Sequence, residues 1–472
     1  MRIPRTWKAL VVAAAALLAA VARLAASEPA DAAGHASAPS AVEGRPAAAE
    51  LSSLQARIDA AGDGETLEIP PGTYEGDVFL DRAIRLVGRG RPRLVGSGKG
   101  SVVRIRGADV TVEGFDVDGR GGGDLGRDSS GIHVAARSAT IRDCRIERSL
   151  FGIYLREADG ATVEGNTILG IPGKDPGEKG SGIHVWNTRG FRIAGNTIVD
   201  ARDGFYIQSS YEGTIAGNTA RDVRYGIHYM FSDDNVFEDN LFERGAAGAA
   251  LMYSKRIAFR RNRFLRNRGF ASVGLLFKAC DDVIAEDNLI ADNARGIFLE
   301  GSYRNAFRRN VIAGSDAAVV LYDSCGRNRF EENVFVGNMS PLNLVGKRTD
   351  TVFDGNYWSD NDEPDLDGDG RSDRPFRLSS VFDHFRGNLT AADLMSEGPA
   401  AAALGAAERS FPILQLVPVE DLSPLVRPPR LPGVPPVSGD SGRVNPRGVA
   451  ASLLALAVGS TVLVAGRRRG LP

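Results

Sequence analysis

The sequence predicts an all-β fold, a right-handed parallel β-helix (a solenoid) with coils of about 22 residues. Units of the form Gly–apolar–x–apolar recur through the middle of the chain, and an asparagine follows seven of these glycines by fourteen residues. The runs between them are short, rich in β-branched residues and free of helical periodicity. A repeat of this length without helices indicates stacked coils. The right hand is that of known folds of this type.

The repeat defines two sets of equivalent positions. The glycines are Gly131, Gly152, Gly182, Gly204, Gly226, Gly248, Gly274 and Gly296. The asparagines are Asn166, Asn196, Asn218, Asn240, Asn262, Asn288 and Asn310, continued by Asn333 and Asn356. Parallel strands lie ~4.8 Å apart, so equivalent residues of successive coils should stack in columns. Stacked asparagines can hydrogen-bond to one another through their amides.

The N-terminal half divides by composition. Basic residues before an apolar run predict an export signal over 1–26. An Ala-, Pro- and Ser-rich linker follows over 27–48. Residues 49–130 should form an N-terminal cap with helical spacing at Leu54 and Ile58, then the first coils, and residues 131–358 the regular repeats.

The C-terminal part predicts a cap over 359–396 and an Ala- and Pro-rich linker over 397–447. Residues 448–466 are apolar and uncharged, and 467–472 begin with three arginines. This pattern favours a single transmembrane helix with a cytoplasmic tail, although an Ala- and Gly-rich run also suits a removable sorting tail. We therefore expect a protein exported to the periplasmic or extracytoplasmic side and anchored in the membrane at its C-terminus.

Composition limits the partners and the redox chemistry. A formal net charge of -2 argues against nucleic acid as a ligand. Cys144, Cys280 and Cys325 are too few and too scattered for a disulfide framework, and buried thiols are the favoured interpretation.

An acidic stretch in the predicted C-terminal cap resembles a calcium-binding loop. Asp365, Asp367, Asp369 and Asp373 occupy positions 1, 3, 5 and 9 of the loop pattern, with Gly370 at position 6. Position 12 is Phe376, so the usual bidentate acidic ligand is missing. Calcium binding and a solvated acidic turn both remain open.

Side chains alternate along a strand, so the third and fifth residues of each repeat should share the outer face. The third column is His133, Tyr154, His184, Tyr206, His228, Ala250, Leu276 and Phe298. The fifth column is Ala135, Arg156, Trp186, Gln208, Met230, Met252, Lys278 and Glu300. One face therefore collects His, Tyr, Trp and Met, with His184, Trp186 and Tyr206 as candidate partner-binding residues.

A candidate metal site lies in these columns. Met230 and Met252 should be neighbours ~5 Å apart, and His228 lies two residues before Met230 on the same face. Thioether and imidazole ligands favour Cu(I) over hard cations. The alternative is an apolar surface covered by a partner or an insertion. His184, two coils from His228, is too far away to share one ion.

Enzymatic interpretations have weaker support. Many β-helices cleave or epimerise polysaccharides, and Asp233, Asp234, Asp281, Asp282 and the Lys278/Glu300 pair could serve such chemistry. No paired-carboxylate spacing demands catalysis, however. A polysaccharide-binding or carbohydrate-modifying β-helix, with Trp186, Tyr206 and Phe298 on its surface, is the alternative to a copper protein.

The strings R-Y-G-I-H-Y-M-F-S-D-D-N (224–235), G-A-A-L-M-Y-S-K (248–255) and R-G-F-A-S-V-G-L-L-F-K (268–278) closely resemble the NosD family. The likeness runs from P-P-G-T-Y (70–74) to G-N-Y-W-S-D (355–360) and the aspartate-rich turn. It implies an exported, non-enzymatic copper-handling protein in maturation of the copper–sulfur centre of nitrous oxide reductase. The implied partners are an ABC-type ATPase and permease, the reductase and a copper donor protein.

Overall fold

A computed structural model of the chain describes residues 49–122, 128–269, 271–378 and 419–429. These residues form a parallel β-solenoid whose coils each contribute one strand to each of three sheets. The sheets have 15, 13 and 12 strands, and neighbouring strands within them are parallel except for the last pair of the first sheet. The predicted all-β solenoid is confirmed, with the right-handed crossover usual for parallel strands.

The strands of the first sheet, in spatial order, are Thr66–Ile69, Arg85–Gly88, Thr111–Glu113, Thr140–Arg142, Thr162–Glu164, Arg192–Ala194, Thr214–Ala216, Val236–Glu238, Ala258–Arg260, Ile284–Glu286, Ala306–Arg308, Arg329–Glu331, Val352–Asp354, Glu420–Asp421 and Phe376–Arg377. Those of the second sheet are Thr73–Glu75, Arg93–Val95, Asp116–Asp118, Arg145–Glu147, Thr167–Leu169, Thr197–Val199, Thr219–Arg221, Leu241–Glu243, Arg263–Leu265, Leu289–Ala291, Val311–Ala313, Val334–Val336 and Tyr357–Trp358. Those of the third sheet are Val78–Leu80, Val103–Ile105, Ser130–Val134, Phe151–Arg156, Ile183–Trp186, Asp203–Gln208, Tyr225–Met230, Ala247–Lys255, Val273–Asp281, Arg295–Glu300, Ala317–Tyr322 and Leu342–Val345.

The core consists of columns of side chains that point into the interior of the solenoid. Along the strand Tyr225–Met230, Ile227 and Tyr229 are fully buried while His228 and Met230 are not, as alternation requires. The repeat glycines allow the coils to approach closely: a Cβ at Gly226 would lie 2.4 Å from the carbonyl oxygen of Gly248. The repeat is thus fixed by backbone proximity as well as by apolar burial.

The asparagine column forms the predicted ladder. Asn218 donates its backbone N–H and its side-chain Nδ2–H to Oδ1 of Asn240, at 2.9 and 3.0 Å. The same two bonds recur from Asn166 to Asn356, and the backbone N–H of Cys144 donates to the first amide, Asn166. Each amide therefore satisfies buried backbone groups of its neighbours, which apolar side chains could not do.

Both ends of the described solenoid are covered. The helix Ala49–Ala60 packs Leu54 and Ile58 into the first coils, and a 3₁₀ turn, Pro176–Glu178, lies in the insertion before Ile183–Trp186. At the other end Glu420–Asp421 pairs with Val352–Asp354. Residues 419–429, inside the predicted linker 397–447, therefore belong to the cap.

The predicted fold class also included a transmembrane helix, and this part was wrong. No helix among the described residues is long and apolar enough to cross a membrane. Residues 448–466, like the predicted signal 1–26, lie outside the described residues. The described residues form an all-β solenoid with a short helix at its N-terminal end.

Candidate metal centre

The outer face of the third sheet brings the third- and fifth-column residues together in register. Strand pairing places Met230 beside Met252 and His228 beside Ala250. In the other direction Met230 lies beside Gln208, and Gln208 beside Trp186. The two thioethers and the imidazole thus lie on one face of two adjacent strands, partly exposed. Adjacent strands are ~4.8 Å apart, so flexible methionine side chains can meet over one ion.

A buried carboxylate orients His228. Nδ1 of His228 lies 3.2 Å from Oδ2 of Asp203, whose side chain is 1% exposed. Arg224 binds the same carboxylate through Nε and a terminal nitrogen, at 2.9 and 2.7 Å. A carboxylate only accepts, whereas the Arg224 guanidinium, 3.3 Å from the same Nδ1, only donates, so the role of Nδ1 depends on the tautomer; the tautomer with the proton on Nδ1 donates to Asp203. Nε2 then carries the free lone pair, which is the arrangement found behind metal-ligating histidines.

The positive charge of Arg224 stabilises the ionised form of Asp203. Burial acts to raise the pKa of Asp203, but hydrogen bonds from His228 and Arg224, with the charge of Arg224, outweigh it and hold the pKa below its ordinary value. Asp203 therefore stays ionised and keeps the imidazole fixed. The donor set of one oriented imidazole and two thioethers fits a soft cation such as Cu(I).

His184, Tyr206 and Trp186 lie in the same face but outside this donor set. The rings of His133, Tyr154, His184, Tyr206 and His228 follow one another with centroids 5.3, 4.4, 4.4 and 4.8 Å apart. Nδ1 of His184 is buried and has no hydrogen-bond partner among the described residues. Burial lowers the pKa of His184 to about 3, so the ring is neutral. Tyr206 separates it from His228, in agreement with the expectation that the two do not share an ion.

A cleft of about 800 Å³ adjoins the column at the turns between the second and third sheets. Two insertions form its walls, one with Pro176 and Lys179 and one with Arg268 and Ser272. Arg224 lines the floor and also contacts Nδ1 of His228, at 3.3 Å. The cleft is thus lined by a residue that contacts the imidazole of His228.

The acidic candidates of the enzymatic alternative are engaged in ion pairs between coils. Asp234 pairs with Arg256 at 2.6 Å, Asp282 with Arg304 at 2.7 Å, and Lys278 with Glu300 at 3.0 Å. The three thiols are buried and free, and Ser302 separates Cys280 from Cys325. Burial raises the pKa of Cys144 to about 11 and that of Cys280 to about 12, so these thiols are protonated.

The aspartate-rich loop groups three of its four candidate ligands. Oxygen atoms of Asp365, Asp367 and Asp369 lie within 4.8 Å of one another. Asp373 accepts the backbone N–H of Leu366 at 2.5 Å. Oxygens of Asp365 accept the N–H groups of Gly368 and Gly370, at 2.7 and 3.0 Å. Calcium binding by this loop stays a prediction.

Sequence reasoning missed Asp203 and Arg224. Asp203 begins a third-sheet strand directly before Gly204, and Arg224 directly precedes the next strand of that sheet, two residues before Gly226. The chain leaves a turn at these places, and alternation does not give the side-chain direction there. The available signal was an aspartate, Asp203, directly before a repeat glycine at a position equivalent to Tyr225 of the next coil, because a carboxylate buried there needs a charged partner.

The part of the chain that contains the candidate centre also matches a known protein family. The model of a family described as periplasmic copper-binding protein (NosD) matches residues 170–363, which contain the whole candidate centre. The probable ABC transporter binding protein NosD of Stutzerimonas stutzeri is 30% identical over 395 residues, 78% of this chain and 88% of that protein. The protein of the same name from Pseudomonas aeruginosa is 32% identical over 391 residues, 79% and 90% of the two chains.

One solved structure with a similar fold is the A-module of the Azotobacter vinelandii mannuronan C-5 epimerase AlgE6. It has a TM-score of 0.51 and 15% identity, and the match covers 65% of this chain and 94% of the module. At this identity the likeness shows the fold alone.

Proposed function

Because this chain belongs to the NosD family of periplasmic copper-binding proteins, we propose that it holds Cu(I) with His228, Met230 and Met252 and passes it on in the maturation of nitrous oxide reductase. The copper ion is cargo for the copper–sulfur centre of that enzyme. An ABC-type ATPase and permease, and a copper donor protein, complete the proposed system. Both relatives are named as probable ABC transporter binding proteins, which supports the ATPase and permease as partners.

One observation carries the proposal. The register pairs Met230 with Met252 beside an imidazole whose Nδ1 is held by a buried carboxylate. Core packing does not need methionine at these outward positions, and the neighbouring residues of the column, Gln208 and Lys278, are polar. Two thioethers and Nε2 of His228 would bind Cu(I), which tolerates low coordination by soft donors.

The test is Cu(I) affinity, measured by competition with a chromophoric chelator. We expect Met230→Ala/Met252→Ala to bind Cu(I) at least tenfold more weakly than wild type, because both thioethers are lost. Met339→Ala, which removes an exposed methionine far along the chain, serves as the matched control and should bind as wild type does. Equal affinity of wild type and the double variant would remove the proposed site.

A further inference from the structure

Phe231 and Tyr253, which follow directly after Met230 and Met252, form an exposed aromatic pair. Each residue is 50% exposed. Their rings are stacked, with centroids 5.2 Å apart and planes 10° from parallel. We name these two residues the aromatic platform. Their exposure leaves much of the apolar surface of both rings available for contact with another molecule.

The backbone of the platform is unusual for such large side chains. Phe231 and Tyr253 have φ values of 50° and 53°, in the left-handed region that bulky residues disfavour. The equivalent turn position of the coils before them is held by Asn187 and Ser209, and of the coils after them by Ala279 and Gly301. All four have positive φ. The turn is thus built equally well by small or polar residues, and the fold does not require aromatic rings at 231 and 253.

The platform borders the methionine pair. Each ring belongs to the residue after a methionine, and Met252 pairs in register with Met230 on one side and with Lys278 on the other. The pKa of Lys278 is raised by its hydrogen bond and ion pair with Glu300, and the tyrosine hydroxyl adds to this effect. The rings therefore lie at the edge of the face that carries Met230 and Met252.

We propose that the aromatic platform is the docking surface for the partner protein that accepts Cu(I) from Met230 and Met252. This inference rests on the copper function proposed above. Transfer is a ligand exchange: a donor atom of the acceptor bonds to Cu(I) while a thioether leaves, and the ion stays Cu(I), with no electron or proton transferred. The acceptor must therefore reach within bonding distance of the thioethers, and it covers the adjacent residues 231 and 253 as it does so. Exposed aromatic rings are the side chains that most often anchor such contacts.

The experiment uses the full chain loaded with Cu(I) and copper-free nitrous oxide reductase as the acceptor. In Phe231→Asn/Tyr253→Asn, asparagine retains the positive φ of the turn, as Asn187 does. We expect its Cu(I) affinity and its rate of Cu(I) loss to a small chelator to stay within about twofold of wild type. Transfer to the reductase should slow at least tenfold, because only this reaction needs docking. Tyr303→Asn, which removes a tyrosine that is 41% exposed, is the control and should transfer at the wild-type rate.

Three results would overturn the inference. An unchanged rate of transfer to the reductase in the double variant would show that the platform does not dock the acceptor. Weaker Cu(I) binding by that variant would place the rings in the metal site instead. Binding of an alginate oligosaccharide to wild type but not to the variant would make the platform a carbohydrate site. A wild-type chain that fails to bind Cu(I) at all would refute the copper function itself, which the metal-only measurement detects separately.

Discussion

At the residue scale, the alternation of side chains along the strands predicts some residues of the candidate centre but not others. The outward positions of His228, Met230 and Met252 follow from two-residue periodicity and the glycine spacing, and strand register places them together as expected. Asp203 and Arg224 lie where the chain leaves a turn, and neither periodicity nor spacing fixes the direction of a side chain there. The positions of the candidate ligands could therefore be read from the sequence, whereas the group that contacts the imidazole could not.

His184 gives a prediction about pH. Its pKa is about 3 in the folded chain because the ring is buried. In the unfolded chain a histidine titrates near pH ~6.5. Between these values the unfolded chain binds a proton that the folded chain does not, so stability falls as the pH is lowered. From pH 7.5 to pH 5 the loss attributable to His184 should be about 2 kcal/mol.

His184→Phe should remove that loss, because phenylalanine retains a ring between Tyr154 and Tyr206 and cannot be protonated. The measurement is the urea midpoint of both proteins at pH 7.5 and pH 5. Asp203 does not disturb the comparison, since its lowered pKa places its own titration below this window. Parallel changes in the two proteins would contradict the assignment to His184.

At the scale of the repeat, the asparagine column was predictable from spacing, but related columns were not. Thr188, Ser210, Ser232, Ser254, Cys280, Ser302 and Cys325 form a second column, in which side-chain oxygen or sulfur accepts backbone N–H groups of the preceding coil. Serine, threonine and cysteine are common near turns, so their recurrence does not stand out in the sequence. Asparagine stands out because one residue type fills each successive coil from Asn166 to Asn356.

The ladder predicts a large and position-specific loss of stability. Asn240→Ala deprives the backbone N–H of Asn218 and the carbonyl of Ile215 of their partners. Each buried orphan group costs ~1–3 kcal/mol, so we expect a loss of about 2–5 kcal/mol, measured as a lower urea midpoint. Asn187→Gly, at an exposed turn where glycine suits the positive φ, should change stability by less than about 0.5 kcal/mol. Similar losses in both variants would mean that the ladder adds no special stability.

At the scale of the whole molecule, the cap at the C-terminal end is the least predictable feature. Asp421 receives hydrogen bonds from Gly355, Asn356 and Trp358, and its carboxylate ends the asparagine ladder. It lies 65 residues beyond Asn356 in a Pro-rich stretch that composition identifies as a linker. A contact of this range leaves no periodic trace in the sequence. The predicted membrane helix, which was wrong, had likewise been inferred from composition alone.

The cap also allows the proposed copper site to be tested independently of the end of the solenoid. In a stack each coil contacts only its neighbours, so loss of the cap should loosen the last coils first. Asp421→Ala leaves the N–H groups of Gly355 and Asn356 and the indole of Trp358 without their acceptor. We expect faster amide hydrogen exchange over 333–358, unchanged exchange over 225–255, and Cu(I) affinity within about twofold of wild type. Asp421→Asn, which keeps one acceptor oxygen, should restore most of the protection from exchange. Faster exchange over 225–255 in Asp421→Ala would contradict the prediction, because it would show that the cap and the proposed copper site unfold as one unit.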